Sequence, residues 1–122
     1  MTPTPIDIKL HRKSRTLEIH FDDGQEFDLS AEYLRVYSPS AEVMGHGAGQ
    51  RKVPLGKEGV GIQQVRAVGH YAVILEFDDG HDTGIYSWDT LYKLGTNYAN
   101  LWPAYLLELE AEGCPRQAAT AR

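Results

Sequence analysis

The strongest constraint on the fold of this chain is a tetrapeptide, Phe-Asp-Asp-Gly, that occurs twice, so that Gly80 lies 56 residues after Gly24. Aspartate tolerates the backbone of a tight turn, and glycine adopts positive φ without steric cost. Each copy follows a run of alternating apolar and polar residues and precedes a short strand, a serine and a brief helix pattern. The repeat therefore predicts an α+β fold of two β-meander units, each trailing a helix, with pseudo-symmetry inside one compact domain.

The first unit begins with the pattern of two half-buried strands. Apolar side chains alternate with polar ones over 6–10 and again over 17–21, which is the period of a strand with one buried face. The basic run 11–15 lies where their hairpin turn is expected, and we interpret it as a solvated turn. A short third strand is expected over 27–29.

A serine follows the third strand of each unit and is expected to cap a helix. Ser30 is a suitable N-cap for a helix over 31–37. The second unit is predicted to repeat this order with strands over 62–68 and 71–77, the latter at the centre of its sheet, and with 85–87 as the counterpart of Leu29 and Ser30.

The C-terminal part of the chain carries the clearest helix pattern. We expect an N-cap at Asn100, Pro103 in the first turn and a stop at Gly113. A single domain is predicted over 1–122, with an ordered core of about 5–113 and a flexible tail over 114–122. The apolar stripe of this helix recurs at i, i+3, i+4 and i+7 in Trp102, Tyr105, Leu106 and Leu109.

Composition excludes several classes of function. A formal net charge of −5 argues against nucleic-acid binding, which needs a concentrated basic surface. No apolar stretch approaches the roughly 20 residues of a membrane span, and the N-terminus lacks the apolar region of a signal peptide. The single cysteine, Cys114, has no partner thiol in the chain. These features predict a cytoplasmic protein.

Motifs of the common reaction classes are absent, so we predict that the chain is not an enzyme. It has no phosphate-binding loop of the P-loop type, no nucleophile elbow and no zinc-protease helix. The paired aspartates of the two turns are expected to point into water and to keep ordinary pKa values. The segment 45–61 is predicted to be a long surface loop, and an anion bound near Gly45 to Gln50, helped by Arg51 and Lys52, stays open as an alternative.

Three longer motifs resemble the gamma-butyrobetaine hydroxylase-like N-terminal domain family. They are Leu10-His11-Arg12 with Leu17-Glu18-Ile19, then the run Leu34 to Val43 with Gly45-His46-Gly47, and Asp79 to Trp88. The chain looks like the free-standing bacterial form of a domain that elsewhere is fused to iron- and 2-oxoglutarate-dependent hydroxylases or to P-loop ATPases carrying iron–sulfur clusters. The catalytic iron of the hydroxylases lies in their other domain, so the resemblance implies no enzymatic activity here.

The resemblance implies a structural zinc site in the hydroxylases, formed by three cysteines in a C-P-C-x-x-C run and a later histidine. The matching positions in this chain are Ser38, Ser40, Val43 and His81, so only the histidine is kept. A hydroxyl or an isopropyl group does not replace a thiolate as a zinc ligand. Zinc or iron at this site is therefore doubtful.

The fold implied by the resemblance still brings Ser38, Ser40 and His81 together, and we take that corner as the candidate site. It is expected either to bind a polar group of a protein partner or to be a hydrogen-bonded structural corner. The leading hypothesis is a non-enzymatic accessory module with an iron–sulfur or metalloenzyme partner, and the alternative is a metal-ion or small-anion domain using His81 and His46. The candidate residues are Arg35, Ser38, Ser40, Glu42, His46, His81, Tyr86 and Trp88.

Overall fold

A computed structural model describes residues 3–39, 56–111 and 113. Its first unit is an antiparallel meander of β1 (Pro5–His11), β2 (Thr16–Phe21) and β3 (Glu26–Ser30), with β2 in the middle. Helix α1 (Ala31–Val36) follows directly, and the Oγ atom of Ser30 accepts a hydrogen bond from the Tyr33 N–H at 3.1 Å. The predicted hairpin, third strand and serine cap of this unit are confirmed.

The second unit repeats the first. Strands β4 (Ile62–Val68), β5 (Ala72–Phe77) and β6 (Ile85–Ser87) form a second antiparallel sheet with β5 at its centre, as predicted. Helix α2 (Trp88–Thr96) follows, and Ser87 Oγ accepts from the Thr90 N–H, again at 3.1 Å. The chain ends in α3 (Tyr98–Ala111). The α+β fold of two meander units with short helices and a C-terminal helix is confirmed.

The two Asp-Asp-Gly turns have the same backbone geometry. Gly24 and Gly80 both adopt a φ of 92°, a value at which a side chain would be strained. In each turn the glycine N–H donates to the carbonyl of the preceding phenylalanine, at 3.1 Å in the first and 3.2 Å in the second. Both units also have a register shift in the first strand, near Pro5 and near Ile62. The sequence repeat is therefore a structural repeat.

The two units share one hydrophobic core, and buried tyrosine hydroxyls link each unit to the other. The inward faces of both sheets supply the core, and β1 and β4 are the adjoining strands of the two sheets. Tyr33 of α1 donates its hydroxyl to the Leu94 carbonyl of α2 at 2.6 Å, while Tyr86 of β6 donates to the Leu34 carbonyl of α1 at 2.6 Å. Each unit thus accepts a buried tyrosine hydroxyl from the other.

Helix α3 covers α1 but begins earlier than its sequence suggests. Tyr105 and Leu109 are buried against Val36, which confirms the predicted apolar stripe. The helix starts at Tyr98, so the predictions of an Asn100 cap and of Pro103 in the first turn are wrong. Asn97, the residue that ends α2, accepts backbone bonds from Asn100 and Leu101 and so joins the two helices without a loop. Gly113, with a φ of 75°, follows the helix as expected.

Within the described ranges, none of the helices combines the length and the hydropathy that crossing a bilayer requires.

Candidate functional site

The centre of the candidate site is a buried hydrogen bond between Ser38 and His81. Ser38 follows α1 in the first unit, and His81 follows the Asp-Asp-Gly turn of the second. Ser38 Oγ lies 3.0 Å from His81 Nε2, and the two residues are 0% and 7% exposed. The predicted proximity of Ser38 and His81 is therefore present in the structure. We call this pair the serine–histidine corner.

Little free space remains around this pair. A Cβ atom added to Gly84 would lie 2.4 Å from Ser38 Oγ and 3.2 Å from the ring of Tyr86. Glycine at this position allows the strand to approach the serine closely. Tyr86 is 0% exposed, and burial raises its pKa strongly, so its phenol stays protonated as a donor to the Leu34 carbonyl. The corner is packed like a protein interior.

Asp79 adds a charged cluster beside the corner. Its Oδ2 atom accepts from Arg35 Nε at 2.9 Å and from Lys57 Nζ at 2.6 Å, and its Oδ1 atom accepts from the His81 N–H at 3.1 Å. Desolvation raises the pKa of Asp79, but the bonds from Lys57, the His81 N–H and Arg35 outweigh it and hold the pKa at about 2. We call Asp79, Arg35 and Lys57 the aspartate cluster.

The expectation that the turn aspartates point into water with ordinary pKa values is wrong for one aspartate of each turn. The side chain of Asp79 is 21% exposed and bound by two cations. Asp23 accepts the Tyr92 hydroxyl at 2.6 Å, and this bond and the backbone bond from Gln25 lower its pKa. The sequence prediction failed because each aspartate is held by the helix of the other unit, which local turn chemistry does not reveal.

One donor of the aspartate cluster, on Arg35, has no acceptor within the described part of the chain. Arg35 Nη1 is buried, and no hydrogen-bond partner for it lies among the residues that the structure describes. A buried N–H without an acceptor costs about 1–3 kcal/mol, so native proteins rarely keep one without a reason.

The same place in the first unit is filled with aromatic rings. Arg35 is the fifth residue of α1 and Tyr92 is the fifth residue of α2, and each binds an aspartate of an Asp-Asp-Gly turn. The rings of Phe21, Phe27 and Tyr92 pack edge to face with centroids 5.1–5.8 Å apart. A Cβ atom on Gly95 would lie 2.5 Å from the Phe27 ring. We call this counterpart the phenylalanine corner.

The other predicted site residues are not all near the serine–histidine corner. Trp88 donates its indole N–H to the His70 carbonyl at 2.8 Å, at the β4–β5 turn. His81 lies after the opposite end of β5, so the structure separates Trp88 from the corner by the length of that strand. Ser40, Glu42 and His46 lie outside the described residues, as do Cys114, the predicted tail and most of the predicted 45–61 loop.

A family model described as gamma-butyrobetaine hydroxylase-like, N-terminal, matches residues 8–92. The chain belongs to this family. A comparison with curated proteins finds no match. Three solved structures are similar to the chain over most of its length.

One is a crystal structure of a DUF971 family protein of unknown function from Acidithiobacillus ferrooxidans, with 39% identity and a TM-score of 0.62, covering 75% of this chain and 92% of that one. An NMR solution structure has 44% identity and a TM-score of 0.81, covering 99% of this chain and 95% of that one. Another NMR solution structure has 50% identity and a TM-score of 0.76, covering 99% and 92%. The sequence resemblance to the hydroxylase-like N-terminal family is thereby confirmed.

The residues of this gamma-butyrobetaine hydroxylase-like domain do not fit the zinc that the family resemblance implies. Ser38 stands where a thiolate would bind, its oxygen is already bonded to His81, and Gly84 closes the space beside it. Alcohols are poor zinc ligands. Within 3–39 and 56–111, no group of three or more histidines, cysteines, aspartates or glutamates has an arrangement suited to a metal ion.

Sequence reasoning missed two members of this site, Asp79 and Lys57. The repeat contained a usable signal for Asp79, because aligning the units, with one residue inserted before the second helix, places Arg35 at the position of Tyr92 and Asp79 at that of Asp23. A contact between helix and turn in one unit would then have predicted the contact in the other. Lys57 has no counterpart in the repeat, so no pattern could have indicated it.

Proposed function

We propose that this chain is a non-enzymatic interaction module whose protein partner contacts the surface at the serine–histidine corner and the aspartate cluster. The observation that carries the proposal is the buried Ser38–His81 bond, because it forms a closed polar pair where the family resemblance implies a metal. A scaffold of this kind holds its surface in place without performing chemistry. Its location in the cytoplasm stays a prediction.

The electrostatics of the corner support binding over catalysis. A general acid or base works best when its pKa lies near the operating pH. The carboxylate of Asp79 has a pKa of about 2 and is held by two cations, so it stays ionised and fixed. The buried phenol of Tyr86 is likewise committed to a carbonyl acceptor. The carboxylate of Asp79 and the phenol of Tyr86 therefore hold the turn and α1 in place.

The class of partner that we propose is an iron–sulfur protein or another metalloenzyme. The support for it is the family resemblance alone, since related domains are fused to iron-dependent hydroxylases and to ATPases that carry iron–sulfur clusters. The neighbouring DUF971 structure is described only as a protein of unknown function, so it does not narrow the choice.

Affinity capture from extract tests the proposal, with purified candidates then measured individually. We expect wild type to retain an iron–sulfur or metalloenzyme partner that Ser38→Ala and His81→Gln bind at least 10-fold more weakly. Tyr92→Phe is the matched control, since it alters the equivalent place in the first unit. Equal recovery by all four proteins would refute the role of the corner.

Elemental analysis of untagged protein separates this proposal from direct metal binding through His81 and His46. We expect far less than one zinc or iron ion per chain, because the thiolates that supply most of the affinity are replaced. About one ion per chain, lost in His81→Gln, would overturn the proposal in favour of a metal-binding domain.

A further inference from the structure

The two Asp-Asp-Gly turns are held by different chemistry. In the first unit a single neutral donor, the Tyr92 hydroxyl, binds Asp23. In the second unit two cations, Arg35 and Lys57, bind the same Oδ2 atom of Asp79. Because the first turn has the same backbone geometry, the fold itself does not require a cation at this place. The turn of the second unit therefore has two cations on one carboxylate, where the turn of the first unit has none.

Arg35 also has a hydrogen-bond donor, Nη1, that no described residue accepts. The Nε edge of Arg35 is committed to Asp79, and its buried Nη1 atom has no acceptor among the described residues. A guanidinium group is planar and always charged, and its N–H groups match the oxygens of a carboxylate or a phosphate. An ammonium group beside it adds a second positive charge.

We propose that Arg35 and Lys57 form a subsite for an oxyanion, a carboxylate or phosphate group, that the partner presents next to the serine–histidine corner. The identity of the partner rests on the function proposed above, whereas the oxyanion chemistry rests on the cluster itself. Lys57 keeps 20% of its side chain exposed and Arg35 keeps 12%.

The charge of the rest of the chain makes such binding selective. With a formal net charge of −5, the chain repels anions at long range. Binding of an oxyanion is therefore expected only where cations are concentrated and desolvated. Arg66 serves as an internal control, because it forms an ion pair with Glu76 on the outer face of the second sheet and its side chain is 48% exposed.

NMR titration of the whole chain tests the subsite, with the arginine Nε–Hε signals of wild type and the His81 backbone amide of every variant as readouts. The probes are sodium phosphate and a blocked peptide of three glutamates. We expect a saturable shift of the Arg35 signal and little change at Arg66. Arg35→Lys keeps the ion pair with Asp79 but lacks the paired N–H groups of a guanidinium, so it should bind phosphate and the peptide at least 10-fold more weakly. Arg66→Lys should bind both probes like wild type.

The two probes distinguish the sources of the oxyanion. Tighter binding of the peptide identifies a carboxylate of a protein, and tighter binding of phosphate identifies a phosphate group. Equal shifts at Arg35 and Arg66, or unchanged phosphate binding by Arg35→Lys, would mean an adventitious ion only and would overturn the subsite. Thermal unfolding of each variant checks that the fold is kept.

Partner capture separates this inference from the proposed function. If Arg35→Lys captures the partner as wild type does, the oxyanion does not belong to the partner and this inference fails, while the interaction function stands. If wild type captures no partner but still binds phosphate at Arg35, the interaction function fails and the subsite stands.

Discussion

The phenylalanine corner and the serine–histidine corner occupy equivalent places in the two units, yet the first consists of aromatic rings and the second of polar side chains. In the first, the ring of Phe27 lies against Gly95, and a neutral tyrosine holds the turn. In the second, the Ser38 hydroxyl lies against Gly84 and binds the His81 imidazole, and two cations hold the turn. The first corner shows that this place in the fold does not require polar side chains.

Substitution of the two corner glycines should give the largest effects. Gly95→Ala would place a methyl group 2.5 Å from the Phe27 ring. We expect a loss of about 2–3 kcal/mol in the free energy of unfolding, because overpacking outweighs the roughly 0.5–1 kcal/mol that alanine gains over glycine in a helix. Urea unfolding measures the difference.

The matched variant in the other unit is Gly84→Ala, whose methyl group would lie 2.4 Å from Ser38 Oγ. A similar loss is expected, and adding Ser38→Ala should recover part of it because the obstructing oxygen is removed. Gly95→Ala should gain nothing from Ser38→Ala. If the recovery were the same in both backgrounds, the two corners would not be separate packing sites.

Removal of the turn carboxylates should have the next largest effect. Asp79→Asn leaves Arg35 and Lys57 without their counter-charge in a partly buried place, and hydrogen bonds to charged groups contribute about 1.5–3 kcal/mol. We expect a loss of about 2 kcal/mol on urea unfolding. Asp23→Asn should lose less, because Tyr92 is neutral and can donate to an amide oxygen.

The ion pairs of Asp79 predict how the free energy of unfolding depends on pH. The pKa of Asp79 is about 2 in the folded chain, below its ordinary value of 3.8. A lowered folded-state pKa contributes stability that is complete above pH 3.8 and is lost as the pH falls toward 2. The difference in unfolding free energy between wild type and Asp79→Asn should therefore shrink between pH 5 and pH 2. A constant difference over that range would show that the ion pairs do not lower the pKa.

The buried tyrosine hydroxyls that link the units should give the smallest effects. Tyr33→Phe and Tyr86→Phe each remove one bond of 2.6 Å to a helix carbonyl of the other unit. The expected loss is about 1 kcal/mol for each variant. Thermal unfolding monitored by circular dichroism measures it, and a loss in only one variant would show that the two links are not equivalent.

Local sequence patterns predicted the elements well and the contacts between units poorly. Alternation and serine caps placed the six strands and both unit helices, because these depend on neighbouring residues. The start of α3 was missed, since Asn97 joins it to α2 without a loop, which residues around Asn100 do not indicate. At the site, the family resemblance predicted that Ser38 lies near His81. The binding of Asp79 by Arg35 and Lys57 depends on the packing of one unit on the other, and local periodicity does not indicate that packing.

A footprint of the captured partner on the amide NMR spectrum tests the central claim most directly. The claim is that the second corner makes functional contacts while the first only completes the core. The account predicts that saturating partner perturbs amides around Arg35, Ser38 and His81 and leaves those around Gln25, Phe27 and Gly95 unchanged. A footprint centred on the phenylalanine corner, or spread equally over both, would contradict it.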